Sequence, residues 1–301
     1  MGSGMARRLL DAGFPLTVYN RNPERCKLFQ PGATVANSPR DAAARADIVI
    51  SMVADDVASK AMWLGDNGAL AGVATGAVLI ESSTLSVSWI KELASLATAK
   101  GCELLDAPVT GTKPHAAAGQ LIFLVGGSEA ALAKANAALA AMGKDIVPLG
   151  PTGSGSLMKL VNNFMAGVQA ASFAEALALV DANGLNREQA ISILTSGAPG
   201  SPLVNRIAAT SASGDFTPNF ILRLMAKDLG YAATEGAHNG VPLRTASAAL
   251  EVFRQAVEKG VVHEGRRLEF PLSLEEPRLV QERREITRIE RQRLLQCFAL
   301  G

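Results

Sequence analysis

At 301 residues the chain is long enough for two domains, because one hydrophobic core rarely grows through that length without splitting. A formal net charge of +1, with 19% charged residues, gives no field that would gather nucleic acid or an anionic membrane, so a small solute is the expected partner. Cys26, Cys102 and Cys297 are odd in number and widely spaced, which argues against a zinc site or disulfide framework and fits a reducing, cytoplasmic setting. No uninterrupted apolar stretch reaches the roughly 20 residues of a bilayer-spanning helix, and no basic-then-apolar leader opens the chain.

The first predicted element is a helix over residues 1–11 (MGSGMARRLLD), small residues followed by an amphipathic run, leading through Ala12-Gly13 into a strand at 16–20 (LTVYN). Short apolar β-prone runs recur at 48–53 (IVISMV), 77–81 (AVLIE), 103–106 (ELLD) and 121–125 (LIFLV), each reading as a strand buried on both faces. Ala-rich helical stretches at 39–46, 87–99 and 128–141 lie between them. This alternation predicts an α/β domain, a doubly wound and mostly parallel sheet with helices on both sides, over residues 1–150.

At the cluster GPTGSGS the pattern changes. Apolar residues fall at helical spacing from 157 to 180, and further helices are predicted at 186–195, 201–208, 219–235 and 245–259, separated by breakers such as GAPGSP and GDFTP. Residues 151–262 therefore form a second, all-α domain. Residues 263–301 are a tail whose Arg/Glu-rich run, 275–293, is predicted to be helical and solvated; its interleaved glutamates cancel most of the arginine charge, which argues against a nucleic-acid arm.

Candidate sites follow from residue chemistry. A helix preceding the strand LTVYN could carry an anion at its N-terminus, although one Gly there is weak evidence. At the exit of that strand stand Asn20 and Arg21; a carboxylate in this place would bond a ribose 2′-hydroxyl, whereas Arg pairs with a 2′-phosphate. By spacing alone an ordinary polar strand exit fits as well. Lys159 and Asn163 lie four apart on one predicted helix, so both could point at one oxygen, with Lys159 as general acid; taken by itself, such a pair is usually solvated surface.

Taken together, the motifs resemble the β-hydroxyacid dehydrogenase family. MGSGMARRLLDAG resembles the continuation of GLGxMGxxMAxxLLxAG, DAPVTG at 106–111 matches D-A-P-V-S/T-G, and SST at 82–84 resembles a cofactor-side loop. Gly150, Gly153, Gly155, Lys159 and Asn163 match G-x-x-G-x-G-x-x-x-K-x-x-x-N, and FILRLMAKDL at 220–229 resembles the family's late helix. The resemblance covers roughly residues 1–260.

The resemblance implies a Rossmann-type domain followed by an all-helical one, with hydride passing from NADPH (NAD is possible) to a small aldehyde acid in a cleft between the domains. Met1 and Gly2 would lie at the pyrophosphate, Gly2 as the last glycine of GxGxxG; a first strand would precede Met1 and is missing here, leaving a central place in the sheet vacant. Asn20 and Arg21 would select NADP, Met52 and Val53 would pack on the dinucleotide, Thr84 would lie near the nicotinamide, and Lys227 would reach the cofactor. Thr110 and the amides of Gly111 and Thr112 would hold the substrate carboxylate, Phe220 would line the pocket, and Asp228 would orient the reacting groups. Lys159 and Asn163 would be catalytic. No metal is implied.

ESSTLS together with DAPVTGTKPHAAAGQL is similar to the glyoxylate and succinic semialdehyde reductase branch, with a 3-hydroxyisobutyrate-type dehydrogenase as the alternative. Imine reductases share the architecture but replace the lysine, so Lys159 points to carbonyl chemistry. By the same resemblance the helical domain would pack into a homodimer or homotetramer. Two competing expectations concern the start of the chain: a non-catalytic relative that has lost cofactor binding with its first strand, or a Met1 internal to a longer natural protein.

Overall fold

The computed structural model describes residues 1–213, 221–259 and the strand at 297–300. Two compact units emerge, Met1–Asn162 with Leu295–Gly301, and Asn163–Leu294.

The first unit begins with α1 (Gly2–Asp11), β1 (Thr17–Tyr19), β2 (Thr34–Val35), α2 (Pro39–Ala43) and β3 (Ile48–Met52). It continues with α3 (Asp56–Trp63), α4 (Ala69–Gly72), β4 (Val78–Glu81), α5 (Val87–Ala99) and β5 (Glu103–Asp106). Then come β6 (Val109–Thr110), α6 (Lys113–Ala117), β7 (Leu121–Gly126), α7 (Glu129–Met142) and β8 (Gly143–Gly150). Helix starts are written locally: Ser38, Asp55, Ser86 and Ser128 each accept the amide three residues on, capping α2, α3, α5 and α7.

β3, β4 and β5 run parallel in register, as do β1 with β2 and β7 with β8, while β7 is antiparallel to β5 and β6. The pleat sends alternate residues to opposite faces, and both faces are dry. Ile50, Val78, Ile80 and Leu105 join Met5, Leu9 and Leu139 in one core cluster, while Val49, Leu79 and Leu104 join Trp63, Trp89 and Ile90 in another. The predicted two-faced burial of the strands is thus the architecture found. β8 was not predicted; GKDIVPLG is half exposed along its length and contains a proline, so it carries no apolar run to mark it.

The expectation of a vacant central place in the sheet is corrected. β9 (Cys297–Leu300) runs between β1 and β3, antiparallel to both, with Ala299 opposite Val18 on one side and Ile50 on the other. Backbone donors and acceptors along those two strand edges are thereby paired rather than left dry and unmet. The predicted tail helix at 275–293 lies outside the described residues.

The helix α8 (Ser154–Ala182) runs from the first unit into the second, which continues with α9 (Arg187–Ser196), α10 (Pro202–Ser213), α11 (Leu222–His238) and α12 (Arg244–Glu258). Met225 and Leu229 of α11 pack with Leu250 and Phe253 of α12 and with Ala171, while Phe173 and Leu177 meet Val204 and Ala208. By length and composition α8 is apolar enough to cross a membrane; Leu160, Ala171, Phe173 and Leu177 are buried in packing, while Leu157, Met158, Val161 and Met165 are exposed.

Candidate active site

Unlike the helices with local caps, α8 is held by a carboxylate far back in the chain. Asp106, fully buried at the end of β5, accepts the Gly153 amide at 2.7 Å and the Ser156 amide at 2.6 Å. These are free donors of the helix's first turn, at the positive end of its dipole. Burial pushes the Asp106 carboxyl above the usual carboxylate range, and the two amides oppose that rise. The glycines of the matched motif serve this junction. Gly153 has φ +101°, and a side chain on Gly155 would strike the carbonyl oxygens of Leu124 and Asp106. DAPVTG and the glycine–lysine motif therefore form one structural joint.

Lys159 and Asn163 follow on α8, 9% and 5% exposed, so neither is the solvated surface residue that spacing alone suggested. Asn163 Nδ2 donates to Asp228 Oδ2 at 2.6 Å, and Lys227 Nζ pairs with Asp228 Oδ1 at 2.7 Å while lying 4.7 Å over the Tyr231 ring. Asp228, 2% exposed, thus organises an amide and an ammonium from two helices of the second unit. Phe220 lies outside the described residues.

In the predicted carboxylate-holding loop, Thr110 ends β6, half-buried, and Gly111 is exposed. The Thr112 amide donates to His115 Nδ1 at 3.2 Å, and its hydroxyl lies 2.7 Å from the same nitrogen. His115 therefore presents an unprotonated Nδ1 to that amide and shares the donor assigned to substrate. Nothing in the periodicity marked His115.

Met1 stands at the N-cap of α1, and Gly2 is buried in its first turn. Asn20, buried at the exit of β1, accepts the Asn22 amide at 2.9 Å and so turns the chain at Arg21, which is exposed and in no ion pair among the described residues. Met52 and Val53, at the exit of β3, are members of the two core clusters. After β4, Ser82 and Ser83 are buried and Thr84 half-buried. Glu81 beneath them, which sequence reasoning missed, accepts from Ser59, Trp63 and Ser83; burial raises its pKa and those donors oppose the rise.

The donor set fits a phosphate-bearing dinucleotide. The amides opening α1 and the exposed guanidinium of Arg21 suit anionic oxygens, and the strand exit reads Asn20-Arg21 in place of the carboxylate that would receive a ribose diol. The Ser51 and Ser82 hydroxyls, at the ends of β3 and β4, are buried and have no hydrogen-bond partner among the described residues.

Residues 1–150 match the NAD-binding domain of 6-phosphogluconate dehydrogenase, and residues 153–267 match the NAD-binding domain of NADP-dependent 3-hydroxyisobutyrate dehydrogenase. The chain is 36% identical over 270 residues to the NAD-dependent L-serine dehydrogenase of Pseudomonas aeruginosa, covering 86% of this chain and 90% of that protein. This chain belongs to the β-hydroxyacid dehydrogenase family. As a family member it is also 35% identical to the mitochondrial 3-hydroxyisobutyrate dehydrogenase of Rattus norvegicus, with 86% of this chain and 80% of that one covered. Among solved structures it is similar to a Mycobacterium tuberculosis 3-hydroxyisobutyrate dehydrogenase described with L-serine, at TM-score 0.78 and 30% identity over 87% of this chain and 92% of that one. Another relative, 33% identical over 85% of this chain, is the human cytokine-like nuclear factor N-PAC, of which 46% is covered. This β-hydroxyacid dehydrogenase is an NAD(P)-dependent oxidoreductase, with a Rossmann-like domain followed by a helical one.

Proposed function

We propose that this β-hydroxyacid dehydrogenase reduces a small aldehyde acid with NADPH, in the manner of a glyoxylate or succinic semialdehyde reductase. The observation that carries this is the buried Lys159, one turn before an Asn163 whose amide is fixed by Asp228. When bound, the nicotinamide supplies the hydride that reaches the carbonyl carbon. Lys159 serves the other half of the reaction: as negative charge grows on the carbonyl oxygen, its ammonium gives a proton to that oxygen. Asn163 donates an N–H to Asp228, which fixes its amide plane, and an amide oxygen is the kind of acceptor suited to holding that ammonium in line. Thr110, with the amides of Gly111 and Thr112, would hold the substrate carboxylate, and Arg21 favours the 2′-phosphate of NADP.

Lys159→Ala is expected to lower turnover by about 10²–10⁴, the usual share of a positioned acid, with NADPH affinity retained in a fluorescence titration. Turnover that survives the substitution rules out this role. A second substrate reading comes from the relatives, which are named for 3-hydroxyisobutyrate and L-serine. A panel of glyoxylate, succinic semialdehyde, 3-hydroxyisobutyrate and L-serine separates the two by kcat/KM. The exposed apolar side chains of α8, Leu157, Met158, Val161 and Met165, favour a homo-oligomer.

A further inference from the structure

Glu81 is a carboxyl side chain with no exposed surface, held by neutral donors. Its Oε2 accepts the Ser59 hydroxyl at 2.7 Å and the Trp63 indole at 2.8 Å, and its Oε1 accepts the Ser83 amide at 3.0 Å. An indole N–H and a backbone amide can only donate. Ser59 already receives the Trp89 indole at 2.9 Å, which leaves its own hydrogen for Glu81. The surroundings therefore require an acceptor at both oxygens, and only a carboxylate offers that without a competing hydrogen.

The loop end of this network leads to the cofactor edge. Ser83 Oγ accepts the Val53 amide at 2.6 Å, so one carboxylate, through one serine, ties the loop after β4 to the loop after β3. Those are the carboxyl ends of neighbouring parallel strands, where open α/β sheets receive dinucleotides. The other oxygen is anchored to α3 by Ser59 and Trp63, and through Ser59 to α5 by Trp89.

We propose that Glu81 is a positioning residue for the dinucleotide: acting through Ser83, it locks the two loops that carry Val53 and Thr84 in the register that the cofactor requires. This role rests on the NADPH-dependent function proposed above. Glu81 itself touches no reacting atom.

Glu81→Gln keeps the shape but turns one acceptor into an NH₂, which in either orientation faces the Ser83 amide or the Trp63 indole, donor against donor. In the cofactor-free protein, hydrogen exchange at the Val53 and Ser83 amides is expected to quicken about tenfold or more, the size of effect an unmet buried donor produces. The Kd and KM for NADPH are expected to rise by about the same factor, whereas kcat at saturating NADPH and the KM for the aldehyde change little. A merely structural role would reduce the active fraction and hence kcat with KM for NADPH unchanged, and that result overturns the proposal.

Ser83→Ala keeps the Ser83 amide on Glu81 and removes only the hydroxyl that receives Val53. It covers the case of a Glu81→Gln protein that does not fold: faster exchange at Val53 with a higher Kd for NADPH supports the link, and unchanged values for both overturn it. If the unsubstituted protein binds NADPH and the variants bind it equally well, the positioning role alone fails. If the unsubstituted protein does not bind NADPH, the dinucleotide function and the positioning role fail together.

Discussion

Two carboxylates, Glu81 and Asp106, close neighbouring strands without a cation beside either in the hydrogen-bond network that holds them. Burial raises both above their ordinary values of 4.5 and 3.8, so between those values and the folded pKa of each the folded protein keeps protons that the unfolded chain has released, and above it both are carboxylates. Their contribution to stability is then fully present below those ordinary values and is lost as pH rises through the folded pKa of each. The urea midpoint is expected to decline with pH over that window, and Asp106→Asn to flatten the decline. At any one pH the same substitution sets an NH₂ against a helix amide and should destabilise by about 1–3 kcal/mol, measured by urea unfolding. Arg21, exposed at the exit of β1, bears on the proposed cofactor preference: under that proposal Arg21→Asp replaces a phosphate partner by a ribose-diol partner. The ratio of kcat/KM for NADPH over NADH should fall, and an unchanged ratio would remove Arg21 from cofactor selection.

At the scale of elements, the proposed chemistry rests on α8, because Lys159 stands little more than one turn beyond the joint made by Asp106, Gly153 and Gly155. A methyl group at position 155 would press on the Leu124 and Asp106 carbonyls, which are backbone and cannot swing aside. Gly155→Ala should therefore destabilise by about 1–3 kcal/mol through forced backbone movement, and should lower turnover beyond the loss of folded protein by displacing Lys159. Urea unfolding and active-site-normalised kcat check the two parts. The long apolar strands and capped helices were legible because period and cap are both local signals. β2 and β6, two residues each, and the half-exposed β8 were not, since their pairing partners rather than their composition make them strands.

For the molecule as a whole, exposed apolar side chains on α8 bear on assembly: a homo-oligomer would sediment at a multiple of the chain mass, and Val161→Asp should shift it toward the single chain. A monomer at all concentrations would exclude that surface as an interface. The sequence by itself determined the α/β-then-α order, the register of the family motifs and the placing of Lys159 and Asn163 four residues apart on one helix, because periodicity and short motifs act within a few residues. Tertiary structure alone decided that Asp106 caps α8 across 47 and 50 residues, that Asn163 is fixed by Asp228 across 65, and that residues 297–300 stand between β1 and β3. Such partners are selected by which buried donors and open strand edges the fold brings together, and that requirement leaves no repeating trace along the chain.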